Sequence, residues 1–111
     1  MNIHETMERR QSARIRADFP IVAYQDGVAH HQRAVDLSCG GALIQRGTQR
    51  PPPMIQRVEL HLGAGQMLCG MARTVWASNG MCAVRFVDMS DADRLDIAEH
   101  IDRFQGRRSR H

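Results

Sequence analysis

Residues 19–37, FPIVAYQDGVAHHQRAVDL, read as two strands folded about a tight turn. Asp26 and Gly27 stand where a two-residue type I′ turn needs two left-handed residues, and that turn is favoured because its twist matches the strands it joins. With these two as the whole loop, Gln25 faces Val28. The same register, continued down the hairpin, sets Arg16 opposite Leu37 and Arg14 opposite Cys39. The arginine-rich stretch RRQSAR, residues 9–14, therefore enters the sheet beside DLSCGG, residues 36–41.

Strand signals continue outward from this hairpin. ALIQR (42–46) follows the SCGG turn, and GTQRPPP (47–53) is a loop whose prolines cannot join a central ladder. In VELHL (58–62), Val58, Leu60 and Leu62 alternate with Glu59 and His61, the period of a half-buried strand. GAG (63–65) turns the chain. QMLCGMARTVWA (66–77) carries Gly70 midway, where a bulge or bend lets a sheet curl, and SNGM (78–81) marks a second hairpin into MCAVRFV (81–87). The period then changes. Ser90 with Asp93 three residues on reads as a helix cap, and Ile97, Ile101 and Phe104 share one helical face that would cover an opening in the sheet. The expectation is a mostly β fold, a six-stranded antiparallel β-barrel with a C-terminal α-helix.

A chain of 111 residues, 42% hydrophobic and 24% charged, suits a single domain over residues 1–111 with room for one core. Residues 1–8 read as a flexible polar segment and GRRSRH (106–111) as a solvated basic tail. The formal charge of +3 favours an anionic partner. All fifteen basic residues are arginine. Its planar fork grips phosphate and the O6/N7 edge of guanine bidentately, as a lysine ammonium cannot. Three cysteines, an odd number, and an N-terminus MNIHETMERR without the apolar core of a signal peptide point to the reducing cytoplasm. No apolar run approaches the roughly 20 residues that span a bilayer, so no membrane insertion is expected.

The two polar stretches that the hairpin brings together carry the candidate chemistry. In DLSCGG, Asp36 can accept hydrogen bonds from N–H groups such as guanine N1 and N2, and Ser38 can donate to a phosphate. Gly40 and Gly41 permit a ligand to approach the backbone closely. With the arginines, these residues make a site for a guanine nucleotide. Trp76, the single tryptophan, packs at a rim or offers a platform on which a guanine ring stacks. No catalytic or metal site is expected. His30 and His31 point to opposite faces of a strand, no C-x-x-C or H-E-x-x-H spacing occurs, and Ser38 lies in no G-x-S-x-G elbow.

Arg10 and Arg14 fit R-x-x-x-R, and Asp36, Ser38 and Gly41 fit D-x-S-x-x-G. Both motifs, with their spacing, resemble the PilZ domain family, and the similarity continues through VWASNGMCAVRFVDMSDADRLDIAEHI (75–101). The resemblance implies a six-stranded barrel that binds the bacterial second messenger cyclic di-GMP, with no other cofactor. It implies that Arg10 and Arg14 grip guanine edges and phosphates while Asp36, Ser38 and Gly41 shape the other wall. Family members with an arginine at the position of Arg9 resemble receptors that hold two intercalated ligands. A downstream protein would read the segment ordered by binding. Two other readings stand beside this one: a small basic barrel for single-stranded nucleic acid, and a protein-interaction module that needs no nucleotide. Five aromatics in total, and acidic residues from Asp88 to Asp102 that nearly balance the C-terminal arginines, count against nucleic acid as a partner.

Overall fold

The computed structural model describes residues 15–63 and 65–108. Six strands, β1 (Ile15–Gln25), β2 (Val28–Ser38), β3 (Gly41–Gln45), β4 (Ile55–Gly63), β5 (Gln66–Ser78) and β6 (Met81–Asp88), precede the helix α1 (Asp91–Arg108). They close into an antiparallel barrel in the order β1-β2-β3-β6-β5-β4. The chain turns left-handed at Asp26 (φ 52°) and Gly27 (φ 78°), and again at Asn79 (φ 53°) and Gly80 (φ 75°), as type I′ hairpins require. Both hairpins lie at the barrel end where β3 stops and β4 starts. The turn between β2 and β3, the start of β1 and the start of α1 share the opposite end.

Period-two alternation builds the core. Val58, Leu60 and Leu62 are buried as their spacing implied, and they meet Ile21, Ile44, Ala72 and Phe86 from the other strands. The helix adds Ile97 and Ile101, both almost fully buried, each worth about 1.5–3 kcal/mol of apolar burial. Its N-terminus is capped as expected: the Asp93 N–H donates to Ser90 Oγ at 3.1 Å, with Asp91 and Asp93 favourably placed in the first turn. His100 meets the Phe19 ring edge-on at 5.3 Å. The Phe104 side chain lies outside the description. The helix runs on through Arg108, taking in the first three residues of the stretch expected to be a tail.

Bulges curve the sheet, and one of them corrects the expected register. From Gln25–Val28 to Phe19–Ala34 the hairpin pairs as anticipated, but it slips by one between Phe19 and Arg16. Arg16 therefore faces Asp36 and Ile15 faces Leu37; Arg16 does not face Leu37. β1 carries one extra residue between these two pairs, a slip that only the strand pairing reveals. The pairing expected for Arg14 lies outside the described residues. Near Gly70, β5 slips against β6 between Met71 and Ala72. A Cβ on Gly70 would stand 2.9 Å from the Asp88 carbonyl oxygen, so glycine permits that close approach.

Towards the end with the two left-handed hairpins the interior becomes polar. Gln32 and Gln56 are buried there, with amide atoms that have no partner among the described residues. The loop from Arg46 to Met54 crosses this end, held by the Arg46 N–H on the Gly80 carbonyl and the Thr74 N–H on the Met54 carbonyl, both 2.8 Å.

Candidate functional site

A groove of about 1100 Å³ opens at the helix end of the barrel. Its floor is the outer face of β3 and β6, with Leu43 and Ala83 at the surface, and one wall is the Ser38–Gly41 turn. Val75 and Trp76 of β5 form another wall, and Arg94 and Leu95 of α1 a third. That volume exceeds the few hundred cubic ångströms of a small-metabolite pocket and suits a ligand of dinucleotide size.

Local structure explains how each wall is set. In β2, Ala34 and Leu37 are both fully buried, and the pairing to β3 slips between Ala34 and Asp36. The bulge at Val35 inverts the alternation, so Asp36 leaves the inward row and stands half-buried between Arg16 of β1 and Leu43 of β3. Without it, Asp36 would continue the inward series of Gln32 and Ala34. In β5 the register slips at Val75, and both Val75 and Trp76 are exposed as a result. Trp76 keeps 49% of its surface open beside the groove.

The turn itself is held from several sides. Ser38 is only 2% exposed; its Oγ accepts from the Gly40 N–H and donates to the Gly41 carbonyl, each at 3.3 Å. Its hydroxyl is thus engaged inside the turn. The two glycines differ. A Cβ on Gly41 would drive into the Val84 carbonyl, so this residue lets β3 pack on β6, whereas a Cβ on Gly40 meets nothing within 4 Å. Gly40 is the glycine that leaves the groove open. The Gly40 carbonyl accepts from Phe86 N–H at 2.9 Å.

Two arginines that the sequence did not single out complete the walls. Arg94 donates to the Phe86 carbonyl at 2.9 Å and to the Cys39 carbonyl at 3.4 Å, tying α1 to the turn and to β6. A cation in the first turn of a helix that opens Asp-Ala-Asp runs against the dipole, and that local inconsistency was the available signal. Arg85 lines the groove, and its cross-strand partner is Arg73. Both are exposed, and neither has an ion pair among the described residues. Like charges placed directly opposite are unfavourable, so neither arginine neutralises the other; Asp91 at the start of α1 also lines the groove, without an ion pair to Arg85 among the described residues. The alternation of MCAVRFV marks Arg85 as outward but cannot say what it faces.

Of the expected site residues, Ser38, Gly40, Gly41 and Trp76 line the groove, and Asp36 sits one strand away beside Leu43. Arg9, Arg10 and Arg14 lie outside the described residues, although β1 begins at the groove end of the barrel.

A closed barrel with a ligand-sized groove walled by a polar turn and a capping helix belongs to the class of small ligand-binding regulatory domains. Residues 8–103 match the PilZ domain, and the chain belongs to that family, whose general role is to receive cyclic di-GMP. The fold is similar to that of the Bacillus subtilis inhibitor of motility MotI/DgrA (TM-score 0.77, 14% identity, 87% of this chain). This chain spans only 51% of that protein's length. It is also similar to the PilZ domain of CeSA from a cellulose-synthesizing bacterium, with TM-score 0.58 and 22% identity over 84% of this chain and 94% of that one. An uncharacterized Legionella protein matches with TM-score 0.63 and 14% identity over 86% and 97% of the two chains. No curated protein matches the sequence. No helix among the described residues is long and apolar enough to cross a membrane.

Proposed function

We propose that this chain is a cyclic di-GMP receptor that reports the ligand to a partner protein through its N-terminal arginine segment. The observation that carries this reading is the convergence, on one groove, of the Ser38–Gly41 turn of the D-x-S-x-x-G motif, an exposed tryptophan, and Arg85, which has no ion pair among the described residues. Guanine stacks on Trp76, an interaction worth about 1–3 kcal/mol per base. The two phosphates are drawn to Arg85 and to the arginines of RRQSAR, while Gly40 lets the ligand reach the backbone. Asp36 stands next to the point where β1 enters the sheet, so Arg10 and Arg14 close over the ligand from that side, with Arg9 available to a second ligand molecule. An adaptor role is supported by the structural similarity to a protein described as an inhibitor of motility.

Titration calorimetry with cyclic di-GMP tests the proposal. The chain binds, and Asp36→Ala or Arg14→Ala weakens binding about tenfold or more with the fold unchanged, the effect of one or two charge-assisted hydrogen bonds. Absence of binding by the unsubstituted chain would remove the reading, and full affinity in either variant would remove that residue from the site.

A further inference from the structure

Away from the groove, at the barrel end bearing the two left-handed hairpins, Arg46 is only 8% exposed and forms no ion pair among the described residues. One guanidinium nitrogen, Nη1, donates to the Arg50 carbonyl, and Nε is buried without a partner among the described residues. Gln32, whose Oε1 has no partner among the described residues, is the β2 neighbour of Arg33, which pairs with Gln45 just before Arg46. An amide or a water can satisfy a hydrogen bond of this guanidinium but cannot balance its charge, and an arginine does not discharge itself by losing a proton. Inside the barrel its charge acts on the Cys82 thiol, which burial pushes up and Arg46 opposes. That neighbour is neutral in its ordinary state and supplies no counter-ion.

Beside Arg46 lies a cavity of about 130 Å³, bounded by Thr48, Arg50, Ser78 and Asn79. The space holds about four waters, too little for a nucleotide and enough for one tetrahedral oxyanion. The surroundings match such a group, with two guanidinium side chains (Arg46, Arg50), two hydroxyls (Thr48, Ser78) and two amides (Gln49, Asn79). We infer that this cavity is a second binding site, independent of the groove, and that its ligand is a single phosphate-type oxyanion held by Arg46 and Arg50. A bound dianion would also fasten the loop 46–54 to the β5–β6 hairpin, because the cavity is formed between them.

The test is amide NMR of the full chain titrated with inorganic phosphate, against sodium chloride at matched ionic strength. The expected result is saturable shifts confined to residues 46–50 and 78–81, with residues 38–41 unmoved. Arg46→Met abolishes them. Arg50→Ala, at an exposed loop position, weakens phosphate about threefold or more, the loss of one solvent-accessible charge contact, and serves if Arg46→Met does not fold. Shifts that do not saturate, that chloride reproduces, or that survive both substitutions would overturn the inference. So would saturation by acetate alone, which would assign the cavity to a carboxylate.

Discussion

Two kinds of tight turn join the strands of this barrel, and they are built on different principles. Asp26–Gly27 and Asn79–Gly80 reach their shape through left-handed backbone, which the residues themselves favour. Cys39–Gly40 also links adjacent strands with two residues, yet neither is left-handed. Its shape is imposed by the Ser38 hydroxyl, by the Phe86 N–H on the Gly40 carbonyl and by Arg94 on the Cys39 carbonyl. The first kind takes its shape within its own hairpin, and the contact of the Gly80 carbonyl with the Arg46 N–H is added to a turn already formed by its backbone. The second exists only when β6 and α1 are in place, so whatever a ligand does to this turn is felt by the helix.

The sharpest way to break that comparison is to add one methyl group on each side of the β2–β3 turn. Gly41→Ala sets a Cβ against the Val84 carbonyl, where backbone must move, and should cost about 2–3 kcal/mol in urea denaturation, the upper range for overpacking. Gly40→Ala meets nothing and should leave stability within about 0.5 kcal/mol while weakening ligand, because the methyl enters the groove. Equal stability losses at the two positions would show that the turn is not held against β6.

A smaller effect separates imposed from intrinsic turns. Arg94→Met removes two hydrogen bonds from a charged donor, leaves the Phe86 carbonyl short of a partner, and should cost about 1.5–2 kcal/mol together with a loss of ligand affinity. Gly27→Ala strains only a left-handed residue, at about 1 kcal/mol, and should leave affinity unchanged. If Gly27→Ala perturbs binding as much as Arg94→Met, the distinction between the turns fails.

The smallest effect concerns the exposed Asp18–Arg33 pair on the first hairpin. The hydrogen bond from Arg33 holds the Asp18 carboxyl below the usual carboxylate range. A carboxyl depressed on folding stabilises fully above its unfolded value, about pH 4, and that stability is lost as pH falls through the lower folded value. Asp18→Asn should therefore change thermal stability slightly at neutral pH and not at all in strong acid, since water screens so exposed a pair. An undiminished effect at low pH would contradict the assignment.

The same contrast accounts for what was legible in the sequence. The Asp26–Gly27 and Asn79–Gly80 turns, the alternation of Val58, Leu60 and Leu62, and the Ser90 cap with Ile97 and Ile101 are local signals, and the barrel follows from them. The D-x-S-x-x-G turn was legible as a motif but not in its physics. Gly41 answers to the Val84 backbone, and the Ser38 hydroxyl is spent inside the turn. Arg46 and Arg85 carry no local mark of their surroundings, because their environment is made by strands remote in sequence, whereas Arg94 shows only its conflict with the helix dipole and not what it ties together. The bulge between Phe19 and Arg16 was invisible for the same reason, since only pairing reveals it.

Closing the barrel requires β1 to find β4 and β3 to find β6, both distant along the chain. Topologies dominated by such remote pairings fold on the order of milliseconds to seconds, since loop closure must precede the contacts that reward it. Gly41 meets Arg85 and Val84 only when β3 has paired with β6, and the groove draws on residues as far apart as Ser38 and Ala98. A growing chain on the ribosome thus has no groove until β6 and α1 have emerged and docked. On the function proposed above, partly made molecules cannot compete for the messenger, and bound ligand would pull the folding equilibrium towards the completed barrel alone.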